Sequence, residues 1–204
     1  IKGLAAAPRL STLQVYHFPL DDEGLKHLGN LKNLQSLTVW DTHFNGATFG
    51  DDGLRHLAGA KTLTTLNFGV LRCRITDEGV KHLVGLKELA NLHLRYAEVT
   101  DEGVKDIAKL TSLKRLELSA TAISNAGLDH LKSLTNLEYL DLRGNGSLTG
   151  AGIKHLHALK RLKGLELAGT KMHGTPARDA LLAELRKALP KCQIQTMRGY
   201  GDPY

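Results

Sequence analysis

The sequence predicts an α/β solenoid, in which short helices and short parallel strands alternate along one axis. Three observations indicate this fold class. A phrase of the type Thr-Asp-Glu-Gly-Val-Lys-His-Leu returns along the chain, and its glycine recurs at steps of 29, 26, 24, 24 and 25 residues, as in stacked repeats. Leucines occupy matching positions in each repeat, and a longer amphipathic segment follows the last one. The recurring glycines are Gly24, Gly53, Gly79, Gly103, Gly127 and Gly152.

Each repeat begins with a predicted helix. In the repeat at residues 76–99, Thr76 is a suitable N-cap, and Asp77 places negative charge in the first helical turn. Apolar residues at a spacing of three, from Val80 to Leu89, then form one stripe of a short helix and its exit.

Each repeat continues with a predicted strand, because apolar and polar residues alternate at the end of residues 89–94. One such unit cannot bury its apolar face alone, whereas stacked neighbours bury it together. The inward pairs of the predicted strands are Leu13/Val15, Leu37/Val39, Leu66/Phe68, Leu92/Leu94, Leu116/Leu118, Leu140/Leu142 and Leu165/Leu167.

Residues 137–145 match the pattern L-x-x-L-x-L-x-x-N in full, and with it the chain resembles the leucine-rich repeat family over nearly its whole length. The helix start T-D-x-G-[LV]-K-H-L is similar to the short bacterial, planctomycete-like class of these repeats, of about 24 residues. The resemblance implies a leucine-rich-repeat solenoid with a curved parallel sheet on the concave face and short helices on the convex face. It also implies binding of proteins, peptides, glycans or lipids.

The asparagine of the family pattern is replaced in most repeats of this chain. Its site holds Thr42, Thr121, Thr170, Ala97, Leu71 or Phe18. A threonine hydroxyl can bond the turn backbone instead, whereas the apolar side chains cannot.

The predicted domain organisation is an array of about seven repeats at residues 1–175 and a cap at residues 176–204. Thr175 and Pro176 fit the N-cap and first position of a capping helix, and an edge strand and a tail follow it. Residues 1–4 align with residues 80–83, so we expect the chain to begin within a repeat.

Composition bounds the class of protein. The cysteines Cys73 and Cys192 have no paired spacing, which argues against a disulfide-stapled extracellular design and favours the cytoplasm, although the location stays open. No apolar run approaches the roughly 18 residues of a membrane span. The chain has no G-x-S-x-G, H-E-x-x-H or phosphate-loop motif, so we predict that it is not an enzyme, and no metal or cofactor is implied.

The predicted convex face carries recurring histidines and much of the net charge of +6. We interpret His27, His56, His82, His130 and His155 as half-buried helix residues rather than a metal ladder, because equivalent atoms in stacked repeats lie at least about 4.7 Å apart. The lysines could form a surface for nucleic acid or anionic lipid, but a solvated face balanced by Asp and Glu is favoured.

The outward strand positions form the predicted binding surface, because exposed Trp, Tyr and Arg are enriched at binding hot spots. In the alternative interpretation, Arg115, Glu117, Asp141 and Arg143 neutralise one another across neighbouring strands. The candidate ligand-binding residues are Tyr16, Trp40, Phe49, His93, Arg95, Tyr96, Arg115, Glu117, Tyr139, Asp141 and Arg143.

Two neighbouring repeats carry extra residues at one edge, at residues 43–49 and 71–74. Insertions in repeat arrays map to loops on one face, often the binding face. They are predicted to be either a ligand-contacting flap or tolerated loops whose aromatic residues fold back onto the solenoid.

The function that these observations favour is a non-catalytic protein–protein or peptide interaction module, monomeric as an isolated domain. The alternative is a recognition or targeting arm of a larger enzyme, effector or signalling protein. An anionic-surface binder is less well supported.

Overall fold

The computed structural model describes residues 3, 7–41, 48–70, 73–171 and 178–196 of the chain, with the side chain of Asp41 excepted. Within these ranges the predicted leucine-rich-repeat solenoid is confirmed. Strands and short helices alternate along the chain, and the strands form one open parallel sheet.

The strands pair in chain order, and every neighbouring pair is parallel. The register aligns equivalent positions of successive repeats, such as Leu37 with Leu66 and Leu66 with Leu92. The strands are β1 (Thr12–Tyr16), β2 (Ser36–Asp41), β3 (Thr65–Val70), β4 (Asn91–Arg95), β5 (Arg115–Glu117), β6 (Tyr139–Asp141), β7 (Gly164–Glu166) and β8 (Gln193–Gln195).

The helices lie on the other side of the core. They are α1 (Asp22–Gly29), α2 (Asp51–Leu57), α3 (Asp77–Leu83), α4 (Asp101–Ile107), α5 (Asn125–Leu131), α6 (Gly150–Ile153) with a following 3-10 helix at Lys154–Ala158, and α7 (Arg178–Ala188). The predicted inward pairs of β2 to β7 are buried between sheet and helices. Leu13 and Val15 are only half-buried, because β1 is an edge strand.

An acidic residue at the start of a helix joins each repeat to the next. Asp77 Oδ1 accepts a hydrogen bond from the Thr100 backbone N–H at 2.8 Å, and its Oδ2 accepts one from the Thr100 hydroxyl at 2.6 Å. Thr100 is the N-cap of α4, so the carboxylate of one repeat fixes the capping residue of the next. We call this contact the aspartate bridge.

The aspartate bridge recurs along the array. It joins Asp51 to Thr76 and Asp101 to Ser124, and variants of it run from Asp22 to Gly50 and from Asn125 to Thr149.

The recurring glycine leaves room for the aspartate bridge. A Cβ at Gly103 would lie 2.3 Å from Asp77 Oδ1, and a Cβ at Gly127 would lie 2.4 Å from Asp101 Oδ1. The same conflict would arise at Gly79 and Gly152. The returning phrase therefore combines a cap, a bridging acid and a glycine that together form the joint between repeats. From the sequence alone, the acid is expected only to interact favourably with the helix dipole.

Threonine replaces the family asparagine as predicted at two positions. Asn145 is buried and donates from Nδ2 to the carbonyl oxygens of Leu118 and Leu142 at 2.7 and 2.9 Å. The Thr170 hydroxyl donates to the Leu167 carbonyl oxygen at 2.8 Å, and Thr121 Oγ1 lies 2.9 Å from the corresponding carbonyl oxygen of Leu118.

The two repeats with extra residues leave the sheet differently from the others. After β1, β4, β5, β6 and β7 the chain turns through a residue of positive φ, at His17, Tyr96, Ala120, Gly144 and Gly169. Strands β2 and β3 instead continue, so that Asp41 pairs with Val70. Residues 43–47, 71 and 72 of the predicted flap, and Thr42 before them, lie outside the described residues, so the flap stays a prediction.

A longer helix follows the last repeat. Leu182 and Leu185 of α7 are buried. A Cβ added at Gly150 of α6 would lie 2.8 Å from Leu181 Cδ2 of α7, so the two helices pack against each other. Strand β8 pairs with β7 at the edge of the sheet. Thr175, Pro176 and residues 197–204 lie outside the described residues, and the domain boundary between 175 and 176 stays a prediction.

Candidate functional site

Two aromatic rings hold Arg95 on the concave face. The Arg95 guanidinium carbon lies 5.9 Å from the centroid of the Trp40 ring and 5.5 Å from that of the Tyr96 ring. Trp40 lies across the neighbouring strand because β3 has a glycine there: a Cβ at Gly69 would be 2.4 Å from Trp40 Cε3. We call Trp40, Gly69, His93, Arg95 and Tyr96 the arginine patch.

Tyr96 reaches its place in the arginine patch through an unusual backbone conformation. Its φ is 63°, which is uncommon for a bulky residue other than glycine. The left-handed turn after β4 therefore presents an aromatic ring beside Arg95, whereas the turns after β6 and β7 have glycines at this position.

Next to the arginine patch, His93 and Arg115 share one carboxylate. Glu117 Oε1 accepts hydrogen bonds from Arg115 Nε at 3.0 Å and Nη2 at 2.8 Å, while Glu117 Oε2 lies 3.5 Å from His93 Nδ1. The His93 and Glu117 side chains are only 14% and 10% exposed. The imidazole is thus held between a carboxylate and the cations of the face.

A groove surrounds Tyr139, beside the arginine patch. The Arg115 guanidinium carbon lies 3.7 Å from the centroid of the Tyr139 ring, and Gly164 leaves room for that ring, since a Cβ there would be 2.7 Å from Tyr139 Cδ2. Burial, followed by the nearby carboxylates, raises the pKa of Tyr139 to about 12, which keeps the phenol a hydrogen-bond donor. An open groove of about 500 Å³, the tyrosine groove, is lined by Asn91, Lys114, Arg115, Glu138, Tyr139, Lys163, Gly164, Glu166, Gln193 and Gln195.

Three of the predicted binding residues do not lie on open surface. Phe49 is fully buried against Phe68, with ring centroids 4.7 Å apart, so it is a core residue rather than part of a flap. Asp141 is 0% exposed beneath Arg143, whose Nη2 donates to Asp141 Oδ2 at 2.8 Å, and Glu117 is 8% exposed beneath Arg115. The carboxylates position the arginines and are not themselves presented to a ligand.

The two arginine–carboxylate pairs run in a different direction from the one predicted. Arg115 pairs with Glu117, and Arg143 with Asp141, each two residues apart along the chain, whereas the contact of His93 with Glu117 does cross from β4 to β5. The direction of the arginine pairs follows from strand geometry, because residues two apart share one face of the sheet.

The remaining predicted residues line the concave face, together with several residues that were not among the predicted ones. Tyr16 is 56% exposed and pairs in register with Trp40. Gly69 and Gly164 determine where the two aromatic rings lie, and Lys114, Glu138 and Lys163 form one rim of the tyrosine groove. A glycine inside a strand signals a close approach of this kind, so the sequence did contain a clue to the first two.

The convex face is balanced by local ion pairs. Exposed cations lie three residues after acids in successive helices, as in Lys26–Glu23, Arg55–Asp52, Lys81–Glu78, Lys105–Glu102 and Lys132–Asp129. The recurring helix histidines are half-buried, and His155 Nδ1 lies 2.9 Å from Asp129 Oδ1. In the described part of the chain, no three His, Cys, Asp or Glu side chains are grouped closely enough to hold a metal ion.

We expect His93 to titrate below the ordinary histidine pKa of 6.5, because burial disfavours its charged form. The unfolded chain then binds more protons than the folded chain below about pH 6.5, so this group's contribution to stability diminishes as the pH falls through that window. NMR titration of the His93 ring measures the pKa directly. The charged groups that act on the ring are Glu117 and Asp141, which raise its pKa, and Arg115 and Arg95, which lower it.

Two substitutions that each remove one charge serve as controls for the His93 titration. Glu117→Gln should lower the pKa of His93 further, and Arg95→Gln should raise it, because they remove charges of opposite sign. A ring that titrates at or above 6.5 in the unsubstituted protein would contradict the buried placement of His93.

Comparison with known proteins agrees with this architecture. A family model described as "Leucine Rich repeat" matches residues 87–108 and 133–156. None of the curated proteins matches the chain. No helix in the described ranges is long and apolar enough to cross a membrane.

Solved structures of similar shape include two bacterial proteins. An internalin (inlF) from Listeria monocytogenes str. 4b F2365 superposes with a TM-score of 0.67 at 21% identity, over 98% of this chain and 58% of its own. An internalin C2 (inlC2) from the same strain superposes with a TM-score of 0.59 at 21% identity, over 94% of this chain and 84% of its own. At this identity the likeness shows the fold alone, and the chain spans little more than half of the first protein.

Proposed function

Since this chain is a leucine-rich-repeat protein, we propose that it is a non-catalytic module that binds a protein or peptide across its concave face. The arginine patch and the tyrosine groove are the two contact regions. Both face away from the helices, on the surface that the repeat pattern leaves free to vary.

The observation that carries this proposal is the fixed placement of aromatic and arginine side chains over glycines. Trp40 lies against Gly69, and Tyr139 lies against Gly164, each with an arginine stacked on the ring. Ordering a flexible side chain on binding costs about 0.5–1.5 kcal/mol, so rings that are already held in place retain more of their contact energy. Trp, Tyr and Arg are also the residue types enriched at hot spots.

The span of the surface fits a peptide segment. From Trp40 on β2 to Gly164 on β7 there are five strand spacings, or about 24 Å. An extended segment of about seven residues covers that distance. A folded partner could present such a segment or a helix to the same surface.

The ionisable groups of the face support a binding role over a catalytic one. Glu117 and Asp141 are each bound to an arginine of their own strand, and the tyrosine groove is open to solvent. General acid–base catalysis needs a group poised to exchange a proton with the substrate. The carboxylates here are instead committed to arginines.

We expect Trp40→Ala to weaken partner binding by at least about 10-fold, because truncating a central aromatic hot spot costs about 2 kcal/mol or more. The wild-type protein and the variants are immobilised, partners are captured from extracts of the source organism, and the affinity of each purified partner is then measured. Trp40 is the only tryptophan in the chain, so quenching or shift of its fluorescence reports binding at the site itself.

Tyr139→Ala extends this test to the tyrosine groove, and Lys105→Ala on the convex face of α4 is the matched control. A partner that binds the Trp40 and Tyr139 variants as tightly as the wild type would contradict a concave site. Loss of binding in Lys105→Ala, with a steep salt dependence toward nucleic acid or acidic lipid, would favour the convex surface instead.

A further inference from the structure

Buried polar atoms without a hydrogen-bond partner gather within the arginine patch and beside it, at Asn67 and Ser119. Among the described residues, Asn67 Oδ1, His93 Nε2, Arg95 Nε and Ser119 Oγ are all buried and unpartnered. Asn67 pairs in register with His93 on the next strand, Arg95 lies two residues further on, and Ser119 follows β5. A buried polar atom left without a partner costs about 1–3 kcal/mol, so four of them in one place indicate a site that a ligand completes.

The charge of Arg95 also has no acidic partner among the residues that the structure describes. Arg115 and Arg143 each bind a carboxylate of their own strand. Within the described ranges no acidic side chain forms an ion pair with Arg95, which is held only by the rings of Trp40 and Tyr96. The described part of the concave face therefore offers a preoriented guanidinium with no acidic partner.

We propose that the arginine patch binds an acidic residue of the partner, with its carboxylate on Arg95 and a neighbouring backbone N–H on Asn67. This inference rests on the proposed function and specifies its ligand. Arg95 Nε–H and the Ser119 hydroxyl donate to the carboxylate, and the Asn67 and His93 acceptors take up N–H groups of the peptide. With Nδ1–H directed at Glu117, the neutral imidazole presents Nε2 as an acceptor.

The surroundings favour a carboxylate over a phosphate. Glu117 adjoins His93, and the negative charges of both Glu117 and Asp141 interact electrostatically with the His93 ring. A phosphate, which carries about two negative charges, would meet more repulsion from these carboxylates than a singly charged group. The planar guanidinium fork matches a carboxylate with two parallel hydrogen bonds.

The test is selection from a random peptide library, synthesised once with free and once with amidated C-termini, on the wild-type protein. Selected peptides are measured by Trp40 fluorescence, and each acidic residue is replaced by its amide. We expect an Asp or Glu at one fixed position of the peptides selected from both libraries. Binding confined to peptides with a free C-terminus, without a fixed acidic residue, would overturn the assignment to an acidic side chain.

A thermodynamic cycle then assigns the contact to Arg95. Glu→Gln in the peptide, or Arg95→Gln in the protein, should each weaken binding roughly 10- to 100-fold, and the second change should add little to the first. Arg95→Lys keeps the charge but not the planar guanidinium, so its affinity for the peptide should lie between those of the wild type and Arg95→Gln. Lys105→Gln should bind as the wild type does, and the melting temperature of each variant verifies that it is folded.

The outcomes separate the two proposals. Peptides whose binding is lost in Trp40→Ala but shows no acidic preference would overturn the carboxylate inference and leave the concave site intact. If no peptide depends on Trp40 or Tyr139, the proposed function fails and the inference fails with it. Selection of phosphorylated peptides over acidic ones, in a library that contains both, would overturn the choice of carboxylate.

Discussion

Gly127→Ala is expected to lower the free energy of unfolding by about 3 kcal/mol, although alanine is the better helix former by about 1 kcal/mol. A Cβ at this position would lie 2.4 Å from Asp101 Oδ1, and its other close contacts are also atoms of Asp101. Asp101 cannot move aside freely, because it accepts hydrogen bonds from the Ser124 N–H and hydroxyl at 2.8 and 2.6 Å. The substitution therefore breaks the aspartate bridge between α4 and the N-cap of α5.

Two unfolding signals measure this effect. Circular dichroism follows the whole array, whereas Trp40 fluorescence follows the first repeats. The urea midpoint of Gly127→Ala should therefore fall further when measured by circular dichroism than when measured by Trp40 fluorescence. Repeats interact mainly with their neighbours, which makes such a separation possible.

A matched glycine and a double variant test the cause. Gly59→Ala is expected to change the stability by less than about 1 kcal/mol, because nothing lies within 4 Å of the added Cβ. In an Asp101→Ala background, Gly127→Ala should lose most of its cost, since the clashing side chain is gone. If the two substitutions are simply additive, the aspartate bridge is not the reason for the glycine.

Arg143→Met is expected to lower the free energy of unfolding by about 3–5 kcal/mol, because it leaves the fully buried carboxylate of Asp141 without its cation. Arg143 donates to Asp141 from its backbone N–H at 2.9 Å, and from Nε and Nη2 at 3.1 and 2.8 Å. Methionine keeps much of the apolar stem of the side chain without the guanidinium, so the loss measures mainly the charge and its hydrogen bonds. Urea unfolding followed by circular dichroism gives the value.

Arg95→Met provides the control on the same face. It leaves no buried anion behind, so we expect the stability to change by less than about 1 kcal/mol while binding is lost. Adding Asp141→Asn to Arg143→Met should recover much of the stability, because the amide oxygen can still accept from the residue 143 N–H. A double variant no more stable than Arg143→Met would contradict the buried-charge explanation.

The sequence predicted the repeat architecture because its signals are local and recur. Thr76 and Thr100 are caps as predicted, and the inward pairs from Leu37/Val39 to Leu165/Leu167 are buried. The aspartate bridge between repeats could not be predicted from local sequence signals, because Asp77 and Thr100 come into contact only when the repeats stack.

The candidate site was less accessible to prediction, for a physical reason. Strand alternation places Glu117 and Asp141 on the outward face, but their burial depends on how the arginines two residues away fold over them. Phe49, the last residue of an insertion, was a candidate ligand-binding residue, whereas its contact with Phe68 places it in the core, in agreement with the alternative that the aromatic residues fold back onto the solenoid. Long-range packing of side chains determined all three outcomes.

The aspartate bridge has a consequence for how such an array can change in length. The joints at Asp51, Asp77 and Asp101 use the same acid, a hydroxyl cap and a glycine, so a duplicated unit such as residues 101–124 would carry compatible ends for both neighbours. The binding surface has no such tolerance. A unit inserted between β4 and β6 would move the arginine patch and the tyrosine groove apart by about 4.8 Å, enough to take one of them out of reach of the same ligand. The joints thus permit growth by duplication, while recognition of one partner would restrict it to the ends of the array.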